Sequence, residues 1–543
     1  MRQLTVALAA CLLLTACNNR KNADLLVVNA RIYTVDSSFN TVEAMAIKDG
    51  KILATGSTAT ISAEYNAPEK LDAGGKAIFP GFIDAHAHFY QYGLGLQTAD
   101  LTGTDSWQAI LDSLVSFSKT HPEGWLIGRG WDQNDWAQKD FPDNAELNRL
   151  FPDRPVLLSR VDGHAAMANA FALNLAGLQP GVQLTGGDVV VKKGSLTGLL
   201  IDNAVDLVAS KVPAPDAKMT TTALKQAQEN CFAVGLTTVD DCGLMANAIE
   251  TIDSLQKAKI LKMRIYAMIS DAAANYEWAF RKGKWKTDRL NVRSFKVYGD
   301  GALGSRGACL LAPYSDRAGH YGFLLSQPAH YDSIARLLLE KDFQLCTHAI
   351  GDSGNRIILQ TYAKYLQGKN DKRWRIEHAQ VISPDDFAKF GAFNIIPSVQ
   401  PTHATSDMYW AADRLGTERV KGAYAYKQLL QQNGWIALGT DFPVEDISPF
   451  KTFYAAVERK DAKGFPDGGF QSANALSREE TIRGMTIWAA KANFEETEKG
   501  SLEAGKLADF ILLDTDLLTA PANQVLQTKV IRTYLNGEPV FVR

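Results

Sequence analysis

Two histidines stand one residue apart in the run GFIDAHAHFY, residues 81–90, directly after an apolar stretch. In an extended strand alternate side chains share a face, so His86 and His88 are expected to point the same way. Two imidazoles on one face can hold one divalent metal ion, although such a pair also occurs as ordinary core or surface histidines. The spacing therefore raises the hypothesis of a metal site, which the rest of the chain has to support.

Four further side chains suited to this chemistry stand in or at the end of later strand-like runs. They are Lys296, His348, His378 and Asp441. If these runs are parallel strands of one barrel, the side chains all face one opening. Imidazole and carboxylate suit zinc and related divalent ions, whereas a free ammonium repels cations. Lys296 therefore joins the site only if it is modified; the alternative is an unmodified lysine paired with an acid such as Asp300, beside a single metal ion.

The elements that must position these residues alternate along the middle of the chain. Eight strand-like runs, the first ending at His86, are separated by stretches of helical character, which predicts an α/β fold with a closed (β/α)8 barrel over residues 79–499. Residues 100–205 lie between the first two runs and are expected to form an inserted lobe over the barrel mouth. Short strands at both ends of the chain predict one small β domain from residues 24–78 and 500–543.

Six motifs in order resemble the amidohydrolase superfamily. They are PGFIDAHAH, FKVYGDGALGSR, THAIGD, RIEHAQ, GTDFPVE and KGSLEAGKLADFILLD. More narrowly they are similar to amidohydrolase family 3, the branch that contains N-substituted formamide deformylases. The resemblance implies a distorted (β/α)8 TIM-like barrel, a β-sandwich made from both termini and a metal centre in the barrel mouth.

A pair of metal ions, most simply two zinc ions, follows from this resemblance and from ligand chemistry. The ligands would be His86, His88 and Asp441 for one ion and His348 and His378 for the other. Lys296, carboxylated by carbon dioxide, would contact both, as the family implies for its matching lysine.

Two ions that share a water would lower its pKa and give hydroxide near neutral pH. Asp441 is then the candidate general base, and afterwards the acid that protonates the leaving nitrogen.

Five residues are candidate substrate contacts, each equally compatible with packing or loop chemistry. They are Trp131, Asp132 and His164 in the inserted lobe, Arg306 after the glycine-rich DGALGSR, and His403 after the seventh strand. The lobe run DGHAAMANA departs from the family form at Ala165 and Met167, where a larger polar and aromatic pair is expected. This departure predicts a roomier or more apolar pocket.

The first seventeen residues are typical of an export signal. Arg2 precedes an apolar stretch, residues 4–14, that is too short to span a bilayer, and LTAC at residues 14–17 resembles a bacterial lipobox. We therefore expect lipid attachment to Cys17 and anchorage in the cell envelope of a bacterium. Asn18, rather than aspartate, follows the cysteine, which favours the outer membrane facing the periplasm. The alternative is an ordinary signal peptide that contains Cys17 by chance.

Charge and cysteine content exclude two classes of partner or site. The formal net charge is -3 with no long run of one sign, which argues against nucleic acid as a partner. Four cysteines remain beyond the signal, Cys231, Cys242, Cys309 and Cys346, and they show no C-x-x-C spacing. A zinc knuckle is thereby excluded, while a disulfide and a homodimer stay open.

The leading hypothesis is a lipid-anchored, metal-dependent hydrolase of a carbon–nitrogen bond in a small-molecule amide or formamide. One alternative keeps the site but cleaves an ester, lactone or phosphoester. The other is a binding lipoprotein that keeps the metal without catalysis.

Overall fold

The computed structural model describes residues 20–543, so the predicted signal and lipobox lie outside the described residues. Its centre is a nearly closed barrel of eight parallel strands, each paired with the next. In chain order they are β1 Phe82–Ala87, β2 Leu236–Leu244, β3 Arg264–Ser270, β4 Leu290–Tyr298, β5 Gln344–Ala349, β6 Arg375–His378, β7 Ile396–Val399 and β8 Ala437–Leu438. The predicted (β/α)8 fold is confirmed, and the carboxyl ends of all eight strands open at the same end.

Strands β1 and β8 are joined near their carboxyl ends by a few backbone hydrogen bonds. The N–H of Asp441 donates to the carbonyl of His86 at 2.7 Å, and the N–H of His88 donates to the carbonyl of Phe442 at 2.9 Å. A Cβ added at Gly439 would lie 2.5 Å from the backbone nitrogen of His86, so the close approach requires glycine. The GTDF motif thus brings Asp441 beside the H-x-H pair.

Helices surround the barrel and bury the outer faces of its strands, so nearly all strand residues are buried, including the polar ones in LTTVDDCGL and RIEH. The helices are Phe89–Gly95, Ala217–Ala233, Ala246–Lys257, Ala273–Lys282, Pro328–Glu340, Asp352–Leu366, Phe387–Ala392, Pro401–Asp407, Ala411–Arg419, Tyr426–Asn433, Pro449–Glu458, Arg478–Gly484 and Ile487–Ala492. Phe82, Val239, Ile265, Phe295 and Leu345 are typical of the strand residues in the core beneath them.

A separate lobe is inserted between β1 and β2. Its sheet has six strands, in the spatial order Ala99–Asp100, Leu126–Trp131, Val156–Arg160, Ala165–Ala168, Ser195–Asp202 and Gly187–Lys192. Its helices are Trp107–Thr120, Ala145–Leu150, Ala170–Leu175 and Asn203–Ala209. The lobe has apolar clusters of its own on both sides of the sheet, with Leu111 and Leu158 in one and Leu157 and Leu200 in the other.

Two further sheets share one apolar core, and one of them combines strands from the two ends of the chain. One has the order Glu538–Val542, Val530–Leu535, Phe510–Leu513, Ala77–Pro80, Arg31–Tyr33 and Thr41–Val42, and the other has the order Lys51–Gly56, Ala44–Lys48, Leu25–Val28 and Glu69–Asp72. Phe510–Leu513 pairs antiparallel with Ala77–Pro80, so the C-terminal strands complete an N-terminal sheet. Val27 and Phe510 belong to the apolar core that these strands share.

Two negative observations apply to residues 20–543. Within that range no helix has the length and apolar character needed to cross a bilayer. The four cysteines there, Cys231, Cys242, Cys309 and Cys346, are all unpaired, so the disulfide that the sequence leaves open is not formed in this structure.

Candidate active site

The carboxyl ends of the barrel strands bring all six predicted metal ligands together. His88, Lys296, His348, His378 and Asp441 line one cavity of about 700 Å³ beneath the inserted lobe, and His86 is fully buried beside them. Asp441 Oδ1 lies 3.2 Å from His88 Nε2 and 3.5 Å from His86 Nε2. The His378 ring is 4.7 Å from the His86 ring and 4.6 Å from the His348 ring, measured between centroids.

Neighbouring side chains orient two of these imidazoles. His86 Nδ1 lies 2.6 Å from Glu377 Oε2, and His378 Nδ1 lies 2.7 Å from Gln400 Oε1. Each contact engages one ring nitrogen and directs the other, Nε2, toward the centre of the site. The backbone there is strained as well, because His378 and Asp441 have φ values of 73° and 65°, a region that non-glycine residues seldom occupy outside functional sites.

Four polar atoms converge in this space without a hydrogen-bond partner in the described chain. They are His86 Nε2, Lys296 Nζ, His348 Nε2 and Asp441 Oδ1, all buried. Leaving a buried polar atom unsatisfied costs about 1–3 kcal/mol, so a cluster of such atoms points to a missing partner. Imidazole nitrogen and carboxylate oxygen are the ligands that zinc prefers. The residues present therefore fit a divalent metal ion.

Two overlapping groups that share Asp441 have the spacing to hold an ion. One is His86, His88 and Asp441, as the sequence predicts, and the other is His378, His403 and Asp441. The sequence assigns His403 to the substrate; it lines the cavity, and its Nε2 also lies 3.2 Å from Asp441 Oδ2. A third group, His86, Cys242 and Glu377, lies deeper in the barrel.

The electrostatics of the site suit metal ligands. Burial lowers the pKa of His88 to about 4, and burial together with neighbouring positive groups lowers the pKa values of His348 and His378 well below their usual range. These imidazoles are therefore neutral, which is the form that binds metal. Burial alone would raise the pKa of Asp441, but His86, His403 and His88 outweigh it and hold that pKa well below its usual range.

Lys296 is fully buried, and its Nζ lies 4.6 Å from the centre of the Tyr298 ring. Burial by itself lowers the pKa of Lys296, but Tyr298, Cys242 and Glu377 outweigh burial and raise it. The alternative pairing with Asp300 is not formed: that carboxylate accepts the backbone N–H groups of Ile350, Gly351 and Cys309.

Three of the predicted substrate contacts line the cavity beside the metal ligands: His403, which lies next to Asp441, and also His164 and Asp132. His164 lines the cavity with its ring centroid 5.0 Å from that of His348, and its Nδ1 lies 2.5 Å from Asp202 Oδ1. Asp132 also lines the cavity, but Arg160 already pairs with its carboxylate.

Two other predictions are corrected by the structure. Trp131 is fully buried in the lobe core and donates from Nε1 to the carbonyl of Leu158 at 2.9 Å, so it does not contact the cavity. Arg306 does not line the cavity either, and its Nη2 pairs with Asp316 at 2.8 Å.

The expected effect of Ala165 and Met167 on the pocket is wrong too. Both are fully buried in the apolar core of the lobe and neither lines the cavity. The strand Ala165–Ala168 lies between two others in the lobe sheet, which is why these small and flexible side chains are enclosed there. The cavity wall beside them is formed instead by the preceding turn, Asp162, Gly163 and His164.

Sequence reasoning missed Arg129, Arg160, Glu377 and Gln400. Arg129 and Arg160 line the cavity from two neighbouring lobe strands. Glu377 and Gln400 hold the metal-site imidazoles, and the signal available for this pair was an acid directly before His378 in the buried strand RIEH. For the two arginines the available signal was a charged residue inside a largely apolar strand, LIGRGW for Arg129 and VLLSR for Arg160.

Three relatives match nearly the whole chain. Protein LONG AFTER FAR-RED 3 from Arabidopsis thaliana is 33% identical, covering 96% of this chain and 92% of its own length. The putative amidohydrolase YtcJ from Bacillus subtilis is 31% identical, covering 94% and 98%. An N-substituted formamide deformylase from Arthrobacter pascens is 24% identical, covering 95% and 97%.

Known crystal structures share the architecture. An uncharacterised metal-dependent hydrolase from Pyrococcus horikoshii superposes with a TM-score of 0.75 at 26% identity, covering 92% of this chain and 99% of that one. An adenosine deaminase from Xanthomonas campestris with bound zinc has a TM-score of 0.54, covering 96% and 94%; at 15% identity this likeness shows the fold alone.

The sequence pattern of the amidohydrolase family matches residues 69–541, which is most of the chain. This match, the relatives and the grouping of imidazoles and Asp441 at the barrel mouth agree with one another. The chain belongs to the amidohydrolase family and is a metal-dependent hydrolase of the amidohydrolase superfamily.

Proposed function

We propose that this hydrolase cleaves the carbon–nitrogen bond of a small amide or formamide. The observation that carries the proposal is the position of Asp441, whose Oδ1 faces the H-x-H pair while its Oδ2 lies 3.2 Å from His403 Nε2, at the wall of the cavity. Amide cleavage needs one group that takes a proton from water and returns one to the leaving nitrogen. A carboxylate so placed can do both, and one relative is named as a formamide deformylase.

The metal centre proposed for this reaction holds two zinc ions. His86, His88 and Asp441 would hold one, and His348 and His378 the other, with Lys296 between them. Zinc bound there would supply a water activated near neutral pH and would polarise the substrate carbonyl. Neutral imidazoles and an ionised Asp441 are ready to act as ligands, whereas Lys296 would have to become an anion by carboxylation.

A panel of matched compounds tests the choice of bond. Zinc-loaded protein is incubated with formamides and acetamides of several amines, and with esters, lactones and phosphoesters of similar size. We expect release of amine from at least one amide or formamide at a kcat/KM in the ordinary enzyme range, about 10⁴ M⁻¹s⁻¹ or more. Activity on esters, lactones or phosphoesters with none on any amide would contradict cleavage of a carbon–nitrogen bond and would favour ester, lactone or phosphoester hydrolysis.

The proposed binuclear centre predicts a metal content. Protein produced with added zinc and then dialysed should hold close to two zinc ions per chain, because His86, His88 and Asp441 form one ligand group and His348 and His378 lie beside it as the second. Elemental analysis against protein concentration measures the ratio, and protein treated with a chelator provides the blank. A ratio that stays at one would contradict the second ion and would remove the need for a carboxylated Lys296.

We also propose that Cys17 carries a lipid that anchors the protein to a bacterial outer membrane. Cys17→Ser removes the thiol that would carry the lipid. The protein should then move from the membrane fraction to the soluble envelope fraction, because residues 20–543 contain no helix that could span a bilayer. Asn18→Asp tests the sorting step: it should keep the anchor but shift the protein toward the inner membrane. Fractionation and immunoblotting measure both, and a Cys17→Ser protein that stays fully membrane-bound would contradict the anchor.

A further inference from the structure

Two arginines reach the cavity from neighbouring lobe strands, and they differ in their surroundings. Arg160 is neutralised by its neighbours: its Nη1 lies 2.5 Å from Asp162 Oδ2, its Nη2 pairs with Asp132, and its Nε donates to Gln133 Oε1 at 2.8 Å. Two carboxylates and an amide thus occupy the whole guanidinium. Arg160 has no free charge to offer a ligand.

Arg129 has no such partner. Within residues 20–543 no carboxylate oxygen lies within 4.0 Å of its guanidinium; its Nη2 donates to the carbonyl of Val161 at 3.0 Å, and its buried Nε has no partner. The nearby carboxylate of Asp162 is already engaged by Arg160 and by the N–H of His164. Burial lowers the pKa of Arg129, yet an arginine stays charged in proteins. Arg129 is thus a half-buried cation that feels Asp441 and Asp162 from a distance but has no carboxylate in contact, and at a cavity wall such a cation can bind an anion.

Two other arginines of the described chain also have a buried guanidinium nitrogen without a partner and no carboxylate in contact, but they are accommodated differently. Arg293 stacks on Phe494, with its guanidinium carbon 3.7 Å from the ring centre. Arg459 lies over Tyr426 and donates to the carbonyls of Phe470 and Tyr424. Neither lines the cavity. Arg129 alone among these three combines a missing partner with access to the space in front of the metal ligands.

We propose that Arg129 binds a carboxylate carried by the substrate, so that the substrate is an amide with an acid group, such as an N-acylated amino acid. This inference rests on the proposed amide hydrolysis. A guanidinium binds a carboxylate through two parallel hydrogen bonds, in which two N–H groups donate to the two carboxylate oxygens. A phosphate dianion fits less well, because Asp135 and Asp206 also line the cavity without an ion-pair partner among the described residues and would repel the extra charge.

The experiment uses pairs of compounds that differ only in charge. The probes are the N-formyl derivatives of glycine, 4-aminobutyrate and 6-aminohexanoate, each beside its neutral carboxamide, so that three chain lengths sample the distance from the metal centre to Arg129. Zinc-loaded wild type, Arg129→Gln, Arg129→Lys and Arg149→Gln are compared. Arg149 is an exposed arginine of the same lobe, paired with Glu146, and serves as the matched control.

For at least one of the three pairs, wild type and Arg149→Gln should hydrolyse the carboxylate with a kcat/KM on the order of 100-fold higher than that for the matching carboxamide. Arg129→Gln should remove this preference by lowering kcat/KM on the carboxylate more than on the carboxamide, and Arg129→Lys should restore part of it. An equal preference in wild type and Arg129→Gln, or none in wild type, would overturn the inference.

Calorimetric titration of the same probes separates this inference from the proposed function. If no amide is hydrolysed, amide hydrolysis is the wrong reaction, and binding alone then decides the role of Arg129. Tighter binding of a carboxylate than of its carboxamide, abolished in Arg129→Gln, would support the anion site. Equal binding of the two would overturn it.

Discussion

Replacing Asp441 with asparagine should lower kcat by a factor of about 10²–10⁴, the usual contribution of a general acid–base group. The amide keeps the size of the side chain and its contact with His403, 3.2 Å from Oδ2, but it cannot take up and return a proton. The measurement is steady-state turnover of the best amide from the substrate panel, with zinc content determined on the same sample. Turnover is normalised to bound zinc, so that loss of the proton carrier is separated from loss of metal.

Asp446→Asn is the matched control for this variant. Asp446 lies in the same loop and pairs with Lys451 at the surface, away from the cavity, so its replacement should leave turnover unchanged. Near-normal turnover of Asp441→Asn per bound zinc would contradict the role assigned to the carboxylate. If the cellular role also survived Asp441→Asn, a non-catalytic binding protein would be the better description.

The barrel was predictable because its signals are local. Most of the eight strands contain a short apolar stretch, and polar residues stand at or near the carboxyl end of the strand, as His348 and His378 do. The parallel arrangement then places those ends together without any knowledge of side-chain packing. The same reasoning predicts that Asp441 lies beside His86, because the first and last strands are neighbours in a closed barrel.

Trp131 shows where alternation along a strand fails. In the strand Leu126–Trp131 a period of two puts Arg129 and Trp131 on one face, yet only Arg129 reaches the cavity. The pairing with the next strand shifts by one residue between these positions, at Gly130 with φ 109°. Such a bulge turns the following side chain to the opposite face, and sequence alone does not locate it.

Contacts between segments that are distant along the chain could not be predicted from the sequence either. His403 lies beside Asp441 only because the helix Pro401–Asp407 begins directly after β7 and turns back over the barrel mouth. The neutralisation of Arg160 by Asp132 and Asp162, and its absence at Arg129, depends on the packing of three lobe segments. Charge balance in a cavity is therefore a property of the folded chain, whereas the choice of ligand types is already present in the motifs.

Replacing Lys296 with alanine should remove zinc and activity together. Two divalent cations at this depth repel each other strongly, and the repulsion grows as the effective dielectric falls, so the pair needs an anion between them. In the metal-free site the lysine keeps a raised pKa and contributes a positive charge, which is the wrong sign. Carboxylation would reverse that sign and supply two oxygens. Loss of the side chain should therefore weaken zinc binding by about 100-fold, on the scale of other changes that disturb metal ligands.

Rescue by a small acid distinguishes this role from simple packing. Propionate added to Lys296→Ala can enter the vacated space and supply the missing charge, so part of the zinc content and turnover should return. Lys296→Arg fills the space with a permanent cation and should gain nothing from the acid. Lys364→Ala, which removes an exposed lysine paired with Asp332, is the control and should keep wild-type zinc and turnover. Two zinc ions and near-normal turnover in Lys296→Ala without added acid would contradict the bridge, and Lys296 would then be a buried lysine held by the acids and the aromatic ring around it.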